Sequence, residues 1–409
     1  MNATRTDPWM RWLALAFAGT IVVFYLGDIG RRLGFLFEWE FVRFTAVAKG
    51  VVLLMYTLTF MAFAPRYWRS RTGRQMLLAV LSLLTLFLVG QTTGSFAVNG
   101  LEGIRNNLVY LSRFMYLPVS FLLFYPLLEK GDIMSKLMRL FELFFFFNVA
   151  MMLLGLVFGI DIFRTYYPYA RLGFMGFYNS NNQASYYFIL MMMYYYYRTF
   201  YQGARPYKLI LTVLVSLLIG TKKIYFVLPL LVFYDFVAFR RYANRYYLTG
   251  LAVLAVTGAF FWQPISQLVR DKFWVFFDVW KEQGLLTALA SMRNLHLEIT
   301  FNELVQAKWH WHNYLIGGAE FYNTRSEMEF FDIFFFFGLA GVIIYVWLFI
   351  RIMRFFGNDR FLWAMLAILL LLTGLASGFI ISANQPIVFL LVFAVIAHEQ
   401  RRSKIPLKQ

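Results

Sequence analysis

Three of the chain's four histidines, His296, His310 and His312, fall within residues 264–332, and Arg293 lies among them. Five of the eleven tryptophans occur from Trp262 to Trp311. The sequence on either side is oily enough to be embedded in lipid, and hydrocarbon tolerates almost no ionisable side chains. A titratable island between apolar stretches is therefore where a reaction can occur. If 285–307 is an amphipathic helix, Arg293, His296 and Thr300 share one face of it. His310 and His312 alternate with tryptophans. The pair could ligate a metal, but without a third ligand that signal is weak, and interfacial packing explains it as well. Glu327, Glu329 and Asp332 stand where the island re-enters apolar sequence. A helix dipole would stabilise one carboxylate there; three so close together imply that at least one faces a polar cavity.

Two other polar segments resist a purely structural reading. Residues 161–184 are rich in Gly, Asn, Tyr and Pro, a loop composition. Asn179, Asn181, Asn182 and Gln183 can both donate and accept hydrogen bonds, and Tyr166, Tyr167 and Tyr169 offer flat faces, a mixture that suits sugars. Tyrosines anchoring a bilayer boundary and a helix cap at Asn182 are the plainer alternative. Arg171 in the same loop calls for an anionic partner. The turn GTKK at 220–223 brings Lys222 and Lys223 between two apolar stretches, where a phosphate would balance them or their stems would snorkel to headgroups. Within apolar stretches, Arg113, Arg43 and Lys49 read as facing a polar interior; Arg113 is the best placed for a phosphate path, while Arg43 is close enough to a helix end to snorkel.

The elements that position these groups are helices. The chain is 61% hydrophobic, far above a soluble globular domain. Apolar stretches of spanning length occur near 10–27, 42–64, 76–91, 107–128, 138–160, 185–198, 208–221, 223–239, 246–263, 333–351, 361–377 and 379–397. Runs such as Phe144–Phe147 do not alternate as barrel strands must. The expectation is an all-α polytopic membrane protein of about twelve helices, one integral-membrane domain over 1–409 with a large loop at 264–332. With both termini inside, Lys and Arg are roughly three times denser in inner segments than in outer ones. The net charge of +17 then reports orientation, and nucleic acid is not an implied partner. With no cysteine there is no disulfide, thiolate metal site or cysteine nucleophile. The N-terminus starts polar without a convincing cleavage site, so the first helix reads as a retained anchor.

Taken in order, RLGFMGFYNSNNQAS at 171–185, GTKKIYFVLPLL at 220–231, and Arg293 followed by NYLIGGAEF and EMEFFDIFFFFGLAG resemble the O-antigen polymerase and O-antigen ligase superfamily of bacterial polysaccharide assembly. The resemblance covers roughly residues 160–350; the flanking helices match only in hydropathy. It departs at Thr221-Lys222-Lys223, where members commonly place Ser-Arg, and at Glu327, where ligases typically carry a histidine; the latter favours polymerisation. The resemblance implies a GT-C-like membrane glycosyltransferase working on polyprenyl-diphosphate-linked glycans at the periplasmic face of the bacterial inner membrane. Under it, Arg171, Lys222, Lys223 and Arg113 hold diphosphate, and Arg293 stabilises the leaving group. Glu327, or next Glu329, serves as base, and Tyr169, Asn179, Asn182, His310 and His312 contact glycan. No metal or other cofactor is implied. The implied partners are undecaprenyl-diphosphate-linked oligosaccharides and membrane lipids, with a chain-length regulator left open. A ligase that passes finished glycan to another acceptor, and a lipid-linked sugar transporter or flippase, are the competing readings.

Overall fold

A computed structural model describes residues 7–39, 43–93, 95–166, 173–238 and 274–403, with isolated positions between 249 and 267. Among the described residues the chain is helical, and its only β pairing is an isolated bridge between Arg164 and Phe174. The helices are α1 (Pro8–Leu36), α2 (Phe44–Arg69), α3 (Arg71–Thr93), α4 (Ser95–Leu128), α5 (Gly131–Phe158), α6 (Asn181–Phe200), α7 (Tyr207–Leu217) and α8 (Lys222–Ala238). They continue with α9 (Trp274–Gln283), α10 (Leu285–Ala290), α11 (Arg293–Thr300), α12 (Asn313–Ile316), α13 (Phe321–Thr324), α14 (Glu329–Phe356), α15 (Arg360–Leu375) and α16 (Gln385–Ser403). Among the described residues, six stretches are long and apolar enough to cross a membrane: α1, α2, α3, Gly100–Leu128 of α4, α5 and α14. Every expected apolar stretch has a helix at its place except 246–263, which lies mostly outside the described residues.

The boundaries follow from local chemistry. Asp7 caps α1 by accepting from the Trp9 N–H at 3.1 Å, with Pro8 at the first helical position. α5 stops at Gly159, which takes the left-handed conformation (φ 65°). The cap of α6 is Ser180, accepting from the Gln183 N–H at 3.2 Å, not Asn182 as the sequence suggested. Asn182 is already inside the helix and free to present its amide elsewhere.

α6 is buried from Gln183 to Tyr197, and α16 is buried on all sides from Ile387 to Ala397. A helix that is apolar all round belongs in the interior, and these two pack on each other with α5, α4 and α1 around them. Outward faces of the surrounding helices expose large apolar side chains, among them Leu54, Met61, Leu88 and Leu143. So much bare hydrocarbon would be a liability in water and suits lipid.

The long loop departs from the sequence expectation. The continuous amphipathic helix expected over 285–307 is broken at Ser291 and Met292, both left-handed (φ 54° and 64°). Neither residue is Gly or Pro, so the sequence carries no break signal. The turn is held from outside: Met292 N–H donates to the Thr287 carbonyl (2.9 Å), and Lys222 donates to the Ala288 carbonyl and to Ser291 Oγ (2.9 Å). A cation on the last carbonyls of a helix is a favourable cap. Beyond α11 the backbone continues as a π-helical turn, Phe301–Gln306.

The loop's return is set by close backbone approach. Gly318 lies against Gly90 of α3, and Gly317 against Phe336 and Gly338 of α14. Gly338 itself has φ 68° and splits α14 into two segments; a Cβ there would overlap the Leu315 carbonyl. Asn107 of α4 then staples the strap. Its amide donates to Gln91 Oε1 (2.6 Å) and to the Ala319 carbonyl (3.2 Å), and its oxygen accepts from the Phe321 N–H (2.9 Å). The segment leaving that staple, 322–328, carries Arg325 and Glu327 to the mouth of α14.

Candidate active site

At the end of the bundle where α1 finishes and α6, α14 and α16 begin, a cavity of about 350 Å³ opens. Its wall is polar and mixed in charge. Four cations contribute: Arg31 of α1, Lys49 of α2, Arg113 of α4 and Arg325 of the return strap. Three carboxylates face them, Asp28, Glu327 and Asp332, together with the amides of Asn179, Asn182, Gln183 and Asn384.

The three carboxylates differ in freedom. Asp28 is 3% exposed and accepts from Gln183 Nε2 at 2.6 Å. Asp332 is 1% exposed; its Oδ1 accepts from the Ser326 N–H (2.7 Å) and Oγ (3.0 Å), while its Oδ2 has no partner among the described residues. Glu327 has a side chain 39% exposed and stands between two arginines. Its Oε2 lies 3.0 Å from Arg293 Nη2 and its Oε1 only loosely, at 3.7 Å, from Arg325. Glu327 also adopts a left-handed backbone (φ 59°). Of the five non-glycine residues with positive φ among those described, Ser291, Met292 and Glu327 flank this one ion pair. Backbone strain of this kind costs about 1–3 kcal/mol per residue and persists only where the surroundings enforce it.

One wall of the cavity is irregular backbone. The sequence placed a helix from 379, but α16 starts at Gln385, and residues 376–384 are non-helical. The reason is Glu329. Its fully buried carboxylate accepts four backbone N–H groups: Gly378 (2.5 Å), Phe379 (3.0 Å) and Ile381 (3.2 Å) on Oε1, and Ile380 (2.7 Å) on Oε2. From the other side Lys223 donates to the Ser377 carbonyl and sits 4.4 Å from the Tyr186 ring centroid. A carboxylate on the amides and an ammonium on the carbonyl hold open a segment that would otherwise extend α16. Ser377, Gly378 and Ile381 of that segment line the cavity.

The structure thus brings Glu327, Arg113, Asn179 and Asn182 to one cavity, with Arg293 directly behind Glu327. Glu329 and Lys223 stand behind its wall, and Lys222 turns to the long loop. His310 and His312 stack on each other at 5.6 Å between ring centroids and do not line the cavity. Tyr169 and Arg171 lie outside the described residues. Among the described residues no group of three or more His, Asp or Glu side chains is arranged to hold a metal ion.

Sequence reasoning passed over Asp28, Arg31, Gln385 and Asn384. The first apolar stretch ends near 27, whereas α1 runs more than two turns further, to Leu36, and carries Asp28 and Arg31 inside the helix. The signal available was an ionisable pair within reach of a span. Gln385, fully buried, donates to the carbonyl of the cavity-lining Gln183 at 2.8 Å and ties the two central helices together. No protein-family model, curated protein or solved structure matches the chain.

Proposed function

We propose that the chain is a GT-C-like membrane glycosyltransferase, a polymerase that moves a growing glycan from polyprenyl diphosphate onto a lipid-linked repeat unit. The observation that carries the reading is the wall of the polar cavity: four cations, three carboxylates and four amides around about 350 Å³. Diphosphate needs converging cations, sugar hydroxyls need paired donors and acceptors, and the acceptor hydroxyl needs a base.

In this reading Arg113, Arg325, Lys49 and Arg31 take the diphosphate. Two cations within about 4 Å of a diphosphate shielded from water contribute several kcal/mol to a departing charge. Asn179, Asn182, Gln183 and Asn384 hold sugar hydroxyls. Glu327 is the base, because it is the one carboxylate on the wall with an exposed side chain and a loosely held oxygen. The acceptor oxygen bonds to the anomeric carbon of the donor as the carbon–oxygen bond to diphosphate breaks. The hydroxyl proton passes to Glu327, and polyprenyl diphosphate departs with its negative charge on the cations. Arg293 sets the rotamer of Glu327 from behind. The cavity opens at the end of the bundle opposite the start of α1 and the end of α16, and with the positive-rich segments inside, this supports a periplasmic site in a bacterial inner membrane.

The test is Glu327→Gln and Arg293→Ala in cells that make the polymer. Each variant should remain in the membrane at normal abundance and leave single repeat units in place of polymer. Polymer at wild-type levels in either variant contradicts the assignment. Accumulation of long, lipid-linked polymer instead of single repeats would mean that the chain is a ligase.

A further inference from the structure

A second cavity, of about 520 Å³, lies at the opposite end of the bundle, where α5 and α7 begin and α6 and α16 end. Its wall carries four cations, Arg139, Arg198, Arg205 and Lys208, and two carboxylates, Glu142 and Glu399. Both carboxylates are already taken. Glu142 accepts from Lys208 Nζ (2.9 Å) and from the Tyr195 hydroxyl (2.6 Å). Glu399 accepts from Arg198 Nη1 (2.8 Å) and Gln202 Nε2 (2.9 Å). Lys208 and Arg198 are thereby neutralised, and Arg139 and Arg205 remain as two surplus guanidinium groups. Each fork can take a phosphate through two parallel N–H donors.

The surface leading away from this cavity is apolar. On α5, Leu143 and Phe147 follow Arg139 at intervals of four residues, on the same face of the helix, and are 66% and 46% exposed. On α7, Ile210, Leu214 and Leu217 are also exposed, on the face turned away from Lys208. The cationic wall of the cavity thus continues, along the Arg139 face of α5, into exposed hydrocarbon. The charge surplus and the apolar flank occur together, and that combination selects an amphiphile with a phosphate head.

We propose that this cavity binds the phosphate of a net-anionic phospholipid from the leaflet on the side of the termini, with its acyl chains along α5. A zwitterionic head is disfavoured because neither carboxylate is free to meet its ammonium. The site is independent of the glycosyl-transfer reading.

Full-length protein, delipidated in detergent, should be titrated with phosphatidylglycerol, phosphatidylcholine and glycerol 3-phosphate and followed by native mass spectrometry. The expected result is retention of one phosphatidylglycerol in preference to phosphatidylcholine. In Arg139→Gln/Arg205→Gln that binding should be weaker by about tenfold or more, through the loss of two charged contacts. Both arginines are exposed, and an unchanged melting temperature in lipid-free detergent would show that the variant is folded. Equal retention of the two lipids by wild type needs no variant and would overturn the proposal. Wild-type phosphatidylglycerol binding in the folded double variant would also overturn it. Binding of glycerol 3-phosphate as tight as that of the lipid would overturn the lipid assignment in favour of a soluble phosphate.

Discussion

Replacing Glu329 by Gln removes one carboxylate oxygen and puts an NH2 group in its place, in a pocket made of donors. All four partners of Glu329 are backbone N–H groups, three on Oε1 and one on Oε2. The best orientation of a Gln keeps its oxygen on Gly378, Phe379 and Ile381 and turns its amide nitrogen against the Ile380 N–H. That leaves one buried donor unsatisfied, at about 1–3 kcal/mol, and lowers three charged hydrogen bonds to neutral ones, at about 0.5–1 kcal/mol each. The expected destabilisation is about 3–5 kcal/mol, measured by equilibrium unfolding in mixed micelles. Lys223 then sits buried on the same segment with the nearby Glu329 charge gone, so adding Lys223→Met should recover part of the loss in a double-mutant cycle. A Glu329→Gln protein within about 0.5 kcal/mol of wild type, the range of an ordinary surface change, would refute the reasoning. The 377–381 segment would then be held by something other than this carboxylate.

Gly338→Ala combines a left-handed backbone with an overlap on the Leu315 carbonyl, and should destabilise by about 2 kcal/mol or more. Faster proteolytic cleavage in the loop 313–328 would report it. Asn107→Leu removes one buried hydrogen bond from α4 to Gln91 of α3 and two to the return strap and strands their partners, so a loss of about 2–4 kcal/mol is expected, read as lowered thermal stability. Lys222→Met removes the cap on the Ala288 carbonyl and the bond to Ser291. Hydrogen exchange at 287–294 should rise by about fivefold to tenfold, for roughly 1 kcal/mol of local stability.

What could be read from the sequence was the helical plan, because spanning helices announce themselves by length and hydropathy alone. Glu327 and Arg113 were legible as ionisable residues at or within apolar stretches, and Asn179 and Asn182 as amides of a polar loop. Less legible was how neighbouring residues divide the work. Glu327 and Glu329 look alike in sequence, yet one faces the cavity and the other is consumed by the backbone of 378–381. That difference depends on a segment about fifty residues away. The break at Ser291–Met292 was invisible for the same reason, being enforced by Lys222 from another helix. Asp28 was missed because α1 runs more than two turns past the first apolar stretch, and a short polar patch does not show whether a helix stops or continues through it.

The central claim is tested most directly with purified protein in nanodiscs, given an undecaprenyl-diphosphate-linked repeat unit without divalent metal and resolved on a gel. The account predicts a ladder of lipid-linked oligomers with wild type and none with Glu327→Gln. Unchanged repeat units with wild type, the substrate having been verified by mass spectrometry, would contradict it.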